Sequence, residues 1–360
     1  MARRICTGII GTGMIGKHHI GRYKEIAEVD VVACADLRLD EAQRVAKDHG
    51  IPNVFQDYHQ LLAMDEIDVV DVCLPNKLHC PATCDALNAG KHVYCEKPMA
   101  NSGTEARKML ATARKVGRKL SIQLSTLFSA EARAAKRIID AGLLGRIYFA
   151  KASNYRRRGR CYVDGYATPP FVQKEMAGGG AMADMGVYHM ALILWLLGNP
   201  EVLTVTASTF DEIPMPSKRR KESGYNVEEF AAGYIRFAGN LTLFFEEAWA
   251  THMDSGEGHR IFGSHGGLRL EPFGFFTDMA EMQANVQLDL GMYENRANLY
   301  SGDHAGLTDP QRNFVWGILG RVPMVETAPI AVKVAEITEA MYKSAASGRE
   351  VRLAAAASRD

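Results

Sequence analysis

The chain has 360 residues, enough for two domains and a large core. Its 42 Lys and Arg balance its 42 Asp and Glu, so it lacks the basic field expected of a partner of nucleic acid or of a membrane surface. Seven cysteines, an odd number, fall mostly in apolar runs without zinc spacing, which points to a reducing cytoplasm and no metal.

The first apolar run, 5–10, stops at Gly11-Thr12-Gly13-Met14-Ile15-Gly16, and 18–27 reads as a helix. Strand, glycines, then helix is the context a dinucleotide fingerprint needs. Gly11 permits the tight turn, Gly13 lets a pyrophosphate reach the backbone, and Gly16 lets the helix lie close to the strand. Free N–H groups at the helix start favour an anion. A second apolar run, 30–36, ends in Asp36, twenty residues past Gly16, where an acid would bind the adenosine ribose hydroxyls and repel a 2′-phosphate. The cofactor is therefore expected to be NAD rather than NADP, although Arg38 softens the preference.

Helices are expected over 40–47, 57–64, 78–89 and 103–116, and strands over 67–74, 91–95 and 120–124. This alternation predicts a parallel sheet with helices on both faces, an α/β Rossmann dinucleotide-binding domain over 1–125. Asp36, Asn76 and Lys97 fall at the carboxyl ends of strands, where such sheets bind ligands. A helix over 130–141 then leads into local strands at 147–155, 202–210, 230–237, 241–249, 260–262, 267–270 and 286–290. A Gly239-Asn240 turn marks a hairpin. Residues 126–360 are therefore expected to form an α+β domain with a large, mostly antiparallel open sheet, closed by a helix over 332–347. The run 187–198 is too short to span a bilayer. Residues 211–226, with two prolines and a basic cluster, are the best candidate for a mobile loop.

Three separated features, the glycine fingerprint, Glu96-Lys97-Pro98 after a strand, and 178–189 (GGGAMADMGVYH), join the terminal motif 342–349 (YKSAASGR). With them the chain resembles the glucose–fructose oxidoreductase/inositol dehydrogenase (Gfo/Idh/MocA) family over essentially its whole length. The resemblance implies NAD(P)-dependent oxidation of a secondary hydroxyl of a sugar, cyclitol or glycoside, or the reverse. It also implies a homodimer or homotetramer built through the C-terminal sheet. It places Gly11, Thr12, Gly13, Met14, Ile15, Gly16, Asp36, Arg38, Leu74, Pro75, Asn76, His79, Glu96 and Lys97 at the cofactor. At the substrate it places Lys97, Gln123, Tyr155, Arg156, Asp184, Tyr188 and His189.

Hydride removal from an alcohol carbon requires a base at the oxygen, and Lys97, next to Glu96 and held by Pro98, suits that role. Inositol dehydrogenase-like members of the family carry Asp-x-x-x-His; here Tyr188 takes the fifth place and His189 follows. In an α-helix Asp184 and Tyr188 lie about 40° apart, while His189 points about 140° away. The expected order of catalytic importance is thus Lys97, Tyr188, His189, with Asp184 as substrate anchor. A further departure, Ser125-Thr126-Leu127-Phe128 where many members show Arg-Phe, leaves the run 156–158 to supply an arginine. A neutral polyol is expected, with a uronate as the rival. Glycoside 3-oxidation with retained, recycled NAD, and a non-catalytic nucleotide sensor of the same fold, stand as alternatives.

Overall fold

A computed structural model describes residues 4–254 and 256–353 and divides the chain into two units. The first comprises residues 1–123 and 301–332; the second comprises 124–300 and 333–360.

The first unit is built on β1 (Ile5–Ile10), β2 (Val29–Ala35), β3 (Asn53–Phe55), β4 (Val69–Val72), β5 (His92–Cys95) and β6 (Leu120–Ile122). They form one parallel sheet in the order β3-β2-β1-β4-β5-β6, the doubly wound dinucleotide-binding arrangement. Continuous apolar runs suit strands that are covered on both faces. Turn chemistry sets the intervening helices. Gly50 and Gly117 take the left-handed conformation that ends Leu39–His49 and Gly103–Val116. Asp57 and Ser102 cap the helix starts at Tyr58–Leu62 and Gly103–Val116.

Residues 301–332 depart from the expected boundary, since their pattern gave no sign of a return to the first unit. The helix Pro310–Ile318 inserts Phe314 and Val315 among Ile20, Tyr23 and Tyr94. Thr327 Oγ1 accepts from the Ile122 amide at 2.7 Å, at the sheet edge. An apolar helix packs equally well on any matching face, so only the tertiary structure selects this one.

The second unit holds β7 (Ile147–Tyr155), β8 (Val202–Phe210), β9 (Phe230–Phe237), β10 (Leu241–Ala248), β11 (Arg260–Gly263), β12 (Gly266–Leu270), β13 (Phe273–Met279), β14 (Met282–Val286) and β15 (Val351–Arg352). Their order is β14-β13-β12-β11-β7-β10-β9-β8-β15, antiparallel except for β7 with β10. Gly239 and Asn240 both take positive φ in the β9–β10 hairpin, as the turn requires. One face buries Ala150, Ala152, Ile235, Leu243 and Phe245, covered by the apolar helix Val187–Leu196. The other carries Phe149, Tyr155, Phe230, Tyr234, Phe244 and Phe262 in ring-to-ring pairs 5.4–5.9 Å apart, with Tyr234 43% exposed.

Two local expectations change. The loop 211–226 contains a helix, Ser217–Ser223, and buried Arg160 donates to the Ile213 and Pro214 carbonyls beside it. The strand expected at 286–290 ends at Val286, and a helix follows at Leu290–Tyr300. Among the described residues, no helix is long and apolar enough to cross a membrane.

Candidate functional site

In the first unit, the turn after β1 meets each demand placed on its glycines. Gly11 has φ +96°, and a β-carbon there would lie 2.3 Å from the Cys73 carbonyl oxygen. One on Gly16 would lie 2.0 Å from the Gly11 oxygen, so helix and strand touch there. One on Gly13 would meet nothing within 4 Å. That open backbone, at the start of the helix Met14–Lys24, is the cradle a pyrophosphate needs. Asp36 Oδ2 accepts from the Thr12 amide at 2.9 Å and from its hydroxyl at 3.1 Å, and Oδ1 accepts from the Arg38 amide at 2.9 Å. Beside them lies a cleft of about 480 Å³ lined by Ile10, Asp36, Leu37, Asp57, Tyr58 and Leu74 among others. Exposed Met14 and Leu37 flank these strand ends, and an adenine dinucleotide fits this combination of acid, open backbone and apolar rim.

The next two strand ends are tied together from below. His79 is buried; one ring nitrogen lies 2.7 Å from the Pro98 carbonyl and the other 2.8 Å from the Leu74 carbonyl. Burial pulls its pKa down, against the pull of both carbonyls. Buried Glu96 accepts from the Lys97 amide at 3.0 Å through Oε2, and His19 Nε2 lies 2.9 Å from its Oε1. His19 Nδ1 is 2.9 Å from Asp71 Oδ2, also buried. Burial works against the imidazolium, but Asp71 above all raises His19 well beyond its ordinary range. His79 and Glu96, expected at the cofactor, instead serve the loops that carry Leu74, Pro75, Asn76 and Lys97. Lys97 is half-buried at the head of the second loop, and its bond to Pro98 is cis. Gln123 accepts a hydrogen bond from the Tyr94 hydroxyl.

In the second unit, the motif 178–189 begins with Gly178 at φ +81°, ending the helix Lys174–Ala177. A β-carbon on Gly179 would lie 1.9 Å from the Tyr342 hydroxyl, and one on Gly180 would lie 1.8 Å from the Glu228 carbonyl oxygen. The motif and the terminal helix Thr327–Ser347 thus meet in space. Glu228 accepts from the Gly180 amide at 2.9 Å, the Met182 amide at 3.0 Å and the Tyr342 hydroxyl at 2.9 Å. Burial raises its carboxyl; those donors offset part of the rise.

Met182–Gly186 is a π-helical turn leading into Val187–Leu196. A π turn closes i→i+5, so the uniform 100° step behind the expected separation of Asp184 and His189 does not hold. Asp184 Oδ2 accepts from Trp249 Nε1 at 3.2 Å. His189 Nδ1 lies 2.5 Å from Glu247 Oε2, and Asn154 Nδ2 donates to Glu247 Oε1 at 2.7 Å. The His259 ring stands 4.8 Å from that of His189. Arg156 donates to the Tyr166 hydroxyl at 3.2 Å and reaches Met185 Sδ at 3.1 Å. The Tyr188 carbonyl accepts from Thr126 Oγ1 at 3.1 Å.

Tyr155 does not join this group. Neighbouring residues of a strand face opposite ways, and while Asn154 turns to Glu247, the Tyr155 hydroxyl donates to Glu246 Oε2 at 2.5 Å on the aromatic face. Glu228, Glu247, Asn154 and His259 escaped the sequence reading. For Glu247 a signal existed: it continues the inward alternation Leu241, Leu243, Phe245, where an acid is costly unless it is paired.

Residues 5–124 match the family profile described as "Oxidoreductase family, NAD-binding Rossmann fold", and 132–269 match "GFO/IDH/MocA C-terminal domain". The chain is 30% identical over 354 residues to a D-glucoside 3-dehydrogenase of Escherichia coli (strain K12), covering 96% of each. It is 25% identical over 332 residues to a 1,5-anhydro-D-fructose reductase of Ensifer adhaerens, covering 89% of this chain and 95% of that one. A levoglucosan dehydrogenase solved with NADH and levoglucosan shares the fold at a TM-score of 0.80, with 22% identity and 97% and 99% of the chains covered.

Proposed function

The chain belongs to the Gfo/Idh/MocA oxidoreductase family, and from that premise we propose that it oxidises a secondary hydroxyl of a glycoside or related neutral polyol, with Lys97 as the acid/base. The family, the NAD-binding domain and the oxidoreductase class are common ground with its relatives. The observation that carries the finer reading is the full-length likeness to an enzyme named for oxidising glucosides, with Lys97 standing two residues past the end of β5.

The residues divide the work. Gly11, Gly13 and Gly16 with Asp36 hold the dinucleotide, Asp36 by its ribose, and bound NAD supplies the hydride acceptor. Lys97 takes the hydroxyl proton, and Glu96 and His79 hold the backbone on either side of it. Asp184 anchors the substrate through a neighbouring hydroxyl. Tyr188 and His189 compete for the second proton-handling place. Among the described residues, the Arg156 side chain donates to the neutral Tyr166 hydroxyl and Met185 thioether, and it suits a ring or hydroxyl oxygen, with a carboxylate as the rival. The aromatic sheet face of the second unit supports self-association as a homodimer or homotetramer, and a reducing cytoplasm suits seven cysteines that are not joined in disulfides.

The test incubates the protein with NAD and a panel of glucosides, hexoses and inositols while NADH absorbance is followed. Steady NADH formation on a glucoside is expected. Product without net NADH would support retained, recycled NAD, and nucleotide binding without product would support the sensor. Lys97→Ala should lower turnover by about two to four orders of magnitude with NAD affinity nearly intact. Asp36→Ala should narrow the preference for NAD over NADP.

A further inference from the structure

Glu247 and Trp249 lie two residues apart at the end of β10 and therefore project from one face of that chain segment. Trp249 engages Asp184, and Glu247 engages His189. Asp184 and His189 are thus drawn to the same side of the helical segment that carries them, despite the five-residue spacing. The π turn between them is what permits it.

Glu247 is fully buried, and both of its oxygens are held, Oε1 by Asn154 on β7 and Oε2 by His189. A carboxylate restrained on both sides cannot swing, so it dictates the orientation of the imidazole it binds. Burial pushes its carboxyl up, while His189, Asn154 and Arg156 push it down. His259, buried just before β11, also stands beside the His189 ring; burial above all holds it down to about 3, so it stays neutral and does not compete for the proton.

We propose that His189 is the second proton-handling residue and that buried Glu247, backed by Asn154, is its positioning residue. This rests on the dehydrogenase reading given above. A buried carboxylate that accepts from Nδ1–H selects one tautomer and leaves Nε2 to take a proton, as in hydrolase triads. In the forward reaction the C–H electron pair leaves as hydride for NAD, and the O–H electrons form the carbonyl. The hydroxyl proton leaves the reacting oxygen as the carbonyl forms, and His189 Nε2 carries it to water. Tyr188 is left as a contact to the substrate.

The test compares wild type, Glu247→Gln, Glu247→Asp, His189→Asn and Lys97→Ala, measured as kcat and KM across pH with NAD on the best polyol of the panel. Glu247→Gln should lower kcat about a hundredfold, with KM and NAD affinity within about twofold. The limb of the profile that rises with pH should also move, because an amide no longer holds the imidazole as the carboxylate does. His189→Asn should remove that limb, and Glu247→Asp should restore part of the turnover. A Glu247→Gln profile superimposed on wild type, or a loss without movement of the limb, overturns the inference. If Glu247→Gln does not fold, Asn154→Ala and His189→Asn give the same readout: a moved limb in the first and a lost limb in the second support it, and unmoved limbs sink it. Should wild type turn over and Lys97→Ala not, while the Glu247 and His189 variants keep the wild-type profile, the dyad falls and the dehydrogenase reading stands. Should wild type oxidise no polyol, both fall.

Discussion

The two units hold their functional groups in different ways. The first presents backbone: Gly11, Gly13 and Gly16 shape a turn whose use depends on the absence of side chains. The second presents side chains, and carboxylates at the end of β10 and just before β9 hold them from far along the chain. Glu228 caps the segment leading to Asp184, Glu247 holds His189, and Glu229 pairs with buried Arg160 at 2.9 Å. A backbone device is compact in sequence and tolerates change around it. A buried-acid device spans 46 to 69 residues of chain and fails when either end is cut.

The largest effect is expected where one acid serves several donors. Glu228→Ala leaves the Gly180 and Met182 amides and the Tyr342 hydroxyl without their acceptor. At about 1–3 kcal/mol for each orphaned buried group, the loss should exceed roughly 3 kcal/mol. Calorimetry should show the second unit melting early and assays should show turnover collapsing, while NAD titration stays within about twofold of wild type. A parallel loss of NAD affinity would erase the contrast between the units.

The glycine turn should separate folding from binding. Gly16→Ala drives a β-carbon into the Gly11 carbonyl and should cost about 1–3 kcal/mol of stability. Gly13→Ala meets open space and should leave the melting temperature unchanged while weakening NAD roughly tenfold, about 1.4 kcal/mol. Equal melting losses in both variants would mean that the turn is a packing feature and not a cradle.

The smallest effect concerns pH. The folded-state pKa of His19 is raised, so its stabilisation is complete below the unfolded value of about 6.5 and is lost as pH rises above it. Stability of the first unit should fall between pH 6.5 and 7.5 by at most about 1.4 kcal/mol, and His19→Asn should flatten that slope. A slope unchanged in the variant would assign it to other groups.

Much of the first unit was legible because its rules are local. Apolar runs, glycine stops and capping residues act over a few positions, and each leaves its mark in the order of the chain. Thus five strands of the parallel sheet, Asp36 and Lys97 at strand ends, and in the second unit the β9–β10 hairpin could be read from the sequence, whereas the three-residue β3 was not expected. So could the family, whose motifs are short and well separated. Tertiary structure alone decided the rest. The helix Pro310–Ile318 returns to the first unit because its Phe314 and Val315 match a face that no window of sequence displays. His79 and Glu96 turn inward because burial depends on what packs above them. The π turn at Met182–Gly186 resets the angles after Asp184, and Glu247 meets His189 across 58 residues. Such pairings are chosen by the desolvation of a carboxylate, which becomes tolerable only where folding delivers a partner, and folding delivers that partner from far along the chain.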